Sequence, residues 1–141
     1  MTQQAFSSIA RSRYVSLTTF RRNGTAVPTP VWIAPARGGG QRLYVLTMVG
    51  AGKLKRLRHN PAVELAPCTA RGKIRGAGVP GIARILPEDT HPIAEAALAR
   101  KYWIAKRFLD LYHRLRNGRR TYLEITLRDG AQTRDAQELT A

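Results

Sequence analysis

Apolar runs rich in β-branched and aromatic residues recur along the chain, each bounded by glycine, proline or asparagine. This pattern is typical of short strands joined by turns. The predicted strands are 14–20, 27–34, 43–48, 63–68, 79–86 and 121–127, and Ile74 starts or continues a strand. Short antiparallel strands at this spacing favour a small barrel within a mainly β fold.

Helical spacing occurs in three segments, residues 3–11, 53–61 and 90 to about 115. The second is strongly basic and ends at an Asn-Pro pair, which disfavours further helix. In the third, apolar residues recur every three or four positions, as in a buried stripe, and basic residues such as Lys101 decorate the remaining surface. The stripe consists of Leu98, Tyr102, Ala105, Leu109, Tyr112 and Leu115, widened by Trp103 and Phe108. The added width suits either a core or a dimer face.

Two prolines interrupt the predicted strand 27–34. Pro28 and Pro30 have no N–H to donate to a sheet ladder, so this strand is predicted at an edge or with a bulge. Its unpaired carbonyls offer a place where a planar ligand can dock against backbone.

The basic helix has the features of an anion site. Its N-terminus exposes unpaired N–H groups and a partial positive charge. Lys53 and Arg56, spaced i,i+3, lie on one face of the helix. Leu54 and Leu57 lie on another and would seat the helix on a core. Phosphate capture here would imply a cofactor or nucleotide, and the alternative is a solvated basic helix.

Other chemical motifs are weak. Residues 50–54 fail the phosphate-loop pattern, because Thr47 replaces its first glycine and Leu54 its Ser or Thr. The histidines, His59, His91 and His113, have no ligand spacing, so we expect no metal site. Cys68 is predicted as a packed small hydrophobe. Because no catalytic triad or carboxylate pair stands out, catalytic residues stay unassigned, and the chemistry of an enzyme would come from a cofactor.

Length and charge bound the class of protein. The 141 residues suit a single domain, 1–141, and carry a net charge of +15, with no acidic residue before Glu64. Such a charge attracts polyanions, although it also fits a solvated surface. No apolar run reaches the roughly 20 residues of a membrane span, and no secretory signal is evident. We therefore expect a cytoplasmic protein without a membrane partner.

An ordered set of segments resembles one enzyme family. The segments are 14–24, 28–32, 43–45, 52–61, 65–68, 71–72, 101–102 and 122–125. They resemble the pyridoxamine-phosphate-oxidase-like flavin and deazaflavin oxidoreductases, specifically the coenzyme F420-dependent subgroup. The resemblance covers nearly the whole chain and implies a split β-barrel that acts as a homodimer, with cofactor grooves at the subunit interface.

The resemblance also implies a cofactor site and a reaction. The cofactor phosphate would sit against the basic helix, with Lys53 and Arg56 as preferred ligands and Lys55 as a weaker one. The cofactor ring would be lined by Thr29, Pro30, Val31 and Trp32, with Thr47 nearby. A deazaflavin transfers hydride, so the enzyme would move hydride between F420 and a small organic acceptor.

Three alternatives remain open. An FMN-dependent oxidoreductase or flavin-binding protein on the same barrel would capture phosphate in the same way. A non-catalytic basic module would bind a polyanion or nucleic acid, although the aromatic residues are not interleaved with the basic run as a single-strand platform requires. A heme-related role lacks a well-placed histidine.

Overall fold

A computed structural model describes residues 2–38, 41–48, 52–102 and 120–128. Its helices are α1 (Thr2–Arg11), α2 (Gly52–His59) and α3 (His91–Lys101), with a 3₁₀ turn at Glu88–Thr90. Its strands are β1 (Tyr14–Phe20), β2 (Ala26–Val31), β3 (Ile33–Pro35), β4 (Arg42–Met48), β5 (Ala62–Cys68), β6 (Val79–Ile85) and β7 (Arg120–Leu127). The prediction of a mainly β fold with flanking helices is confirmed.

The strands form one antiparallel sheet whose two edges are adjacent in sequence. The strand order is β2-β1-β5-β6-β7-β4-β3, so β2 and β3 lie at opposite edges although only Trp32 separates them. A sheet can meet this condition only by curling until its edges approach each other. The predicted small barrel is therefore confirmed as a curled sheet.

The predicted strand 27–34 changes partner in its middle. Val31 pairs with Val15 of β1, whereas Ile33 pairs with Val45 of β4. The strand is thus two edge strands joined at Trp32, in agreement with the position that its prolines predict. The prediction that Ile74 starts or continues a strand is wrong, because Ile74 makes only an isolated bridge to Cys68.

Apolar side chains fill both faces of the sheet. Inside the curl, residues such as Leu17, Leu65 and Ile125 have no exposed surface, and Leu54 and Leu57 of α2 pack against them. The outer face packs against α3 through Leu98 and its neighbours. The buried stripe predicted for residues 90–115 is confirmed at Leu98 and Tyr102, and its remaining members lie outside the described residues. Among the helices described, none has the length and apolar character needed to cross a membrane.

Candidate anion and cofactor site

The helix α2 presents its basic residues in a fixed arrangement. Most of its residues have good helix propensity. It ends before Pro61, because a proline disfavours helical backbone in the residue that precedes it. Burial of Leu54 and Leu57, with 4% and 5% of their surfaces exposed, fixes the rotation of the helix on the sheet. Lys53 is consequently half-buried, whereas Lys55 is exposed.

The Arg56 side chain folds back over the first residue of α2. Its Nε donates a hydrogen bond of 2.6 Å to Oγ1 of Thr19 in β1, a threonine with no exposed surface. Its guanidinium then passes so close to Gly52 that a Cβ atom built there would lie 2.9 Å from Nη1 and 3.7 Å from Cζ. This path follows the tilt of helical side chains toward the N-terminus. A guanidinium therefore lies over the positive end of the helix.

Lys53 adds a second cation to the same region. Burial and the neighbouring Arg56 guanidinium lower the pKa of Lys53 from its ordinary value. In the part of the chain that the structure describes, neither cation has a carboxylate partner. Like charges held together without a counter-ion cost free energy, which a bound anion would recover. Of the three predicted phosphate ligands, Lys53 and Arg56 come together, while Lys55 lies on the exposed side.

The residues predicted to line a cofactor ring occupy the edge strand and its break. The Thr29 hydroxyl donates to the Leu17 carbonyl at 3.3 Å, and Pro30 is exposed. Val31 is only 5% exposed and packs in the inner core, so its side chain is not open to a ligand. The Trp32 indole stacks on Tyr102 with ring centroids 4.7 Å apart and an interplanar angle of 8°.

The last predicted ring-lining residue, Thr47, lies on β4. The β3 ladder with β4 stops at Val45, and β2 pairs with β1 instead of continuing along β4. Thr47 lies beyond that point, on the inner face that it shares with Leu43 and Val45 through strand alternation. It is 5% exposed, and its hydroxyl has no hydrogen-bond partner among the residues described. Although no ladder joins β2 and β4, residues of the two strands still lie near each other.

A network around α3 fixes the position of Trp32. Lys101 Nζ donates to the carbonyls of Ala10, Ser12 and Ile33 at 2.7, 2.8 and 2.6 Å. The Tyr102 hydroxyl accepts from the Ile33 N–H at 3.2 Å, and it lies 2.8 Å from the Arg13 carbonyl and 3.0 Å from that of Ile33. Burial lowers the pKa of Lys101 to about 8 and raises the pKa of Tyr102 to about 12. Lys101 is therefore a structural cation, and its predicted role as surface decoration is wrong.

Cys68 and the histidines are the remaining candidate residues. Cys68 is buried, which raises the pKa of its thiol, and its prediction as a packed small residue is confirmed. One ring nitrogen of His91 lies 3.1 Å from the Leu86 carbonyl, while His59 lies beside the Arg22 guanidinium. Across the described ranges, no three His, Cys, Asp or Glu side chains group closely enough to hold a metal ion. His113 lies outside those ranges.

Sequence reasoning missed Thr19 and Gly52. Thr19 alternates with Val15 and Leu17 on the inner face of β1, so a polar residue at a core position was the available signal. At Gly52 the sequence offered no signal except that a glycine occupies the first turn of a basic helix.

Comparison with known proteins places the chain in a family. Residues 1–134 match the pyridoxamine 5'-phosphate oxidase family, and the chain belongs to that family. Its curled sheet is accordingly the split barrel that the resemblance implied. No curated protein matches significantly.

Solved structures share the fold at low sequence identity. A FAD-binding protein from Mesorhizobium loti has a TM-score of 0.64 and 16% identity, over 92% of this chain and 89% of that one. An F420 reductase has a TM-score of 0.58 and 20% identity, over 87% and 93% of the two chains. The heme storage protein HutZ from Vibrio cholerae has a TM-score of 0.60 and 12% identity, over 92% and 89%. At these identities the likeness shows the fold alone, and the names of the three proteins refer to three different groups, FAD, F420 and heme.

Proposed function

We propose that this protein is an oxidoreductase that binds coenzyme F420, with its phosphate held by Lys53 and Arg56 at the start of α2. One observation carries the proposal: two cations converge on a helix N-terminus without a carboxylate partner among the described residues. Membership of a family that includes oxidoreductases, and a likeness to an F420 reductase, support the choice of cofactor.

The chain's own residues would bind and orient the cofactor. Lys53, Arg56 and the first N–H groups of α2 would hold the phosphate, and the backbone of Thr29–Trp32 would support the ring. The Trp32–Tyr102 stack and the Lys101 bonds make that segment rigid, as positioning of a ring against an acceptor requires. When bound, a deazaflavin supplies a ring carbon that donates or accepts hydride. No side chain is assigned as an acid or base.

FMN is the second candidate. It carries a phosphate that the same cations would bind, and the likeness to a FAD-binding protein favours a flavin on this barrel. The proposal also includes a homodimer with the acceptor bound near the subunit interface, because the resemblance implies grooves there. Sedimentation at several protein concentrations measures this assembly directly.

The test is a fluorescence titration of the purified protein with F420 and, separately, with FMN at physiological salt. The double variant Lys53→Ala/Arg56→Ala removes the convergent pair. The matched control Lys55→Ala/Arg58→Ala removes the same charge from exposed positions of the same helix. We expect tight F420 binding that the first variant loses and the control keeps.

Each other outcome has a defined meaning. Preference for FMN would transfer the protein to the flavin branch. Equal losses in both double variants would show that general charge, and not the site, attracts the ligand. Binding of neither cofactor would overturn the proposal. In that case heme titration and DNA binding with a steep salt dependence would test the heme-related and polyanion-binding alternatives.

A further inference from the structure

We propose that Thr19 and Gly52 are positioning residues that hold the Arg56 guanidinium over the N-terminus of α2 and thereby set the anion affinity of this site. The inference rests on the proposed function only in taking the phosphate of a cofactor as the natural anion. It concerns the position of the Arg56 guanidinium, and the affinity for inorganic phosphate measures the effect of that position without any cofactor.

Thr19 fixes the stem of the arginine. Its side chain has no exposed surface, and its hydroxyl lies 2.6 Å from Nε of Arg56. A hydrogen bond with a charged donor is short and comparatively strong, so it restricts the rotamers of a long side chain. Because this bond uses Nε alone, the two terminal nitrogens stay available. They have no partner among the residues described.

Gly52 provides the space for the guanidinium. Its φ lies outside the left-handed region, so the backbone at this position does not require glycine. Glycine is moreover a poor helix former compared with alanine. The missing Cβ has another consequence, because a methyl group here would lie 2.9 Å from Nη1 of Arg56. That atom ends a flexible side chain, so the guanidinium would move while the helix remained intact.

A substitution at Gly52 should have opposite effects on stability and on anion binding. Gly52→Ala should leave the melting temperature unchanged or higher, because alanine favours helix. The same change should weaken phosphate binding about threefold to tenfold, a fraction of what a charge-assisted hydrogen bond contributes. A merely structural glycine would not separate the two quantities in this direction.

The experiment measures two readouts in the full chain. Inorganic phosphate affinity comes from calorimetry, and the pKa of Lys53 comes from the NMR titration of its side-chain Cε signal. Arg56→Gln should raise the Lys53 pKa toward its ordinary value and weaken phosphate binding most. Gly52→Ala and Thr19→Val should shift both quantities in the same direction by smaller amounts. Thr19→Ser keeps the hydroxyl and should resemble the wild type.

A double-variant comparison completes the test. In the Arg56→Gln background, Gly52→Ala should have no further effect on phosphate affinity, because the group that it displaces is gone. Additive losses would overturn the inference, as would wild-type values of affinity and Lys53 pKa in both Gly52→Ala and Thr19→Val. If the wild type binds phosphate with these dependences but neither F420 nor FMN, the proposed function fails and the positioning roles stand.

Discussion

Nε of Arg56 lies 2.6 Å from Oγ1 of Thr19, so a residue of the helix and a fully buried residue of β1 are joined at the candidate anion site. The two residues are 37 positions apart in sequence. The contact ties the orientation of a cation to the packing of the barrel wall. The effect of a core substitution on anion affinity can therefore be compared with the effect of a substitution at the site itself.

Oxyanions should stabilise the folded protein through this site. A ligand that binds only the folded state at ten times its Kd raises the free energy of unfolding by about 1.4 kcal/mol. We expect phosphate or sulfate to raise the melting temperature more than sodium chloride does at equal ionic strength. Arg56→Gln should remove most of the difference, whereas Lys55→Gln should keep it. Equal effects of the two salts in the wild type would contradict the site.

Loss of the Lys101 ammonium should destabilise the fold. Lys101→Met removes the ammonium that donates to the carbonyls of Ala10, Ser12 and Ile33, at a cost of about 3 kcal/mol in urea unfolding. Arg100, an exposed neighbour, offers a matched control, and Arg100→Met should change stability by less than about 0.5 kcal/mol. A similar small change in both variants would show that the three hydrogen bonds contribute little.

The same lysine should give stability a characteristic pH dependence. The folded-state pKa of Lys101 is about 8, below the 10.5 of an unperturbed lysine. Between these values the unfolded chain binds more protons, so the free energy of unfolding should rise as the pH rises from 8 toward 10.5. Lys101→Met should reduce this rise. Lys53→Met removes a smaller contribution of the same sign, because the pKa of Lys53 is also lowered. A Lys101→Met profile parallel to that of the wild type would be the contrary result.

Tyr102 should act in the opposite direction at higher pH. Its hydroxyl bonds the backbone of Ile33 in β3 and lies 2.8 Å from the Arg13 carbonyl just before β1, so Tyr102→Phe should cost about 1–3 kcal/mol. Its folded-state pKa of about 12 exceeds the unperturbed 10, so the folded chain retains the proton longer. Stability should fall from pH 10 to 12, and this fall should be smaller in Tyr102→Phe. Unfolding followed by circular dichroism at stepped pH values measures both effects.

Burial of α2 should be needed for the site as well as for the fold. Leu57→Ala removes a side chain that is only 5% exposed, which should cost about 2–5 kcal/mol. Because Leu57 fixes the rotation of the helix, phosphate affinity should fall even where the variant remains folded. Arg58→Ala changes an exposed residue on the same turn and should leave stability nearly unchanged. Retained phosphate affinity in folded Leu57→Ala would show that the helix is held in place by other contacts.

Local sequence signals were sufficient for most elements of the fold. Strand β1 has the predicted bounds because its β-branched and aromatic run is bounded by clear turn residues. The helix α2 begins and ends close to its prediction because the glycines before it and the Asn-Pro pair after it act locally. The break at Trp32 was not predicted, because it depends on which strand pairs with each half. That choice is made by residues far away in sequence.

The candidate site divides in the same way. Lys53 and Arg56 could be predicted to be neighbours, since helical spacing alone sets their common face. The partner of Arg56 could not, because Thr19 reaches it only through the packing of α2 on β1. Lys101 was misread for the same reason, since its three acceptors come from α1, the residue after α1, and β3. Contacts within one helical turn can be predicted from the sequence, whereas contacts between separate elements depend on the fold.

The pairing of β4 with β7 has a consequence for how the chain folds during synthesis. Arg42 of β4 opposes Thr126 of β7, and α2, β5, β6 and α3 all lie between the two strands in sequence. A ribosome must therefore release almost the whole described chain before one edge of β4 can be covered, and such non-local pairing is slow. An uncovered strand invites association with other nascent chains. The first 63 residues contain no acidic side chain, so emerging copies repel one another during this interval. The charge that suits an anionic ligand in the finished protein thus also separates its unfinished copies.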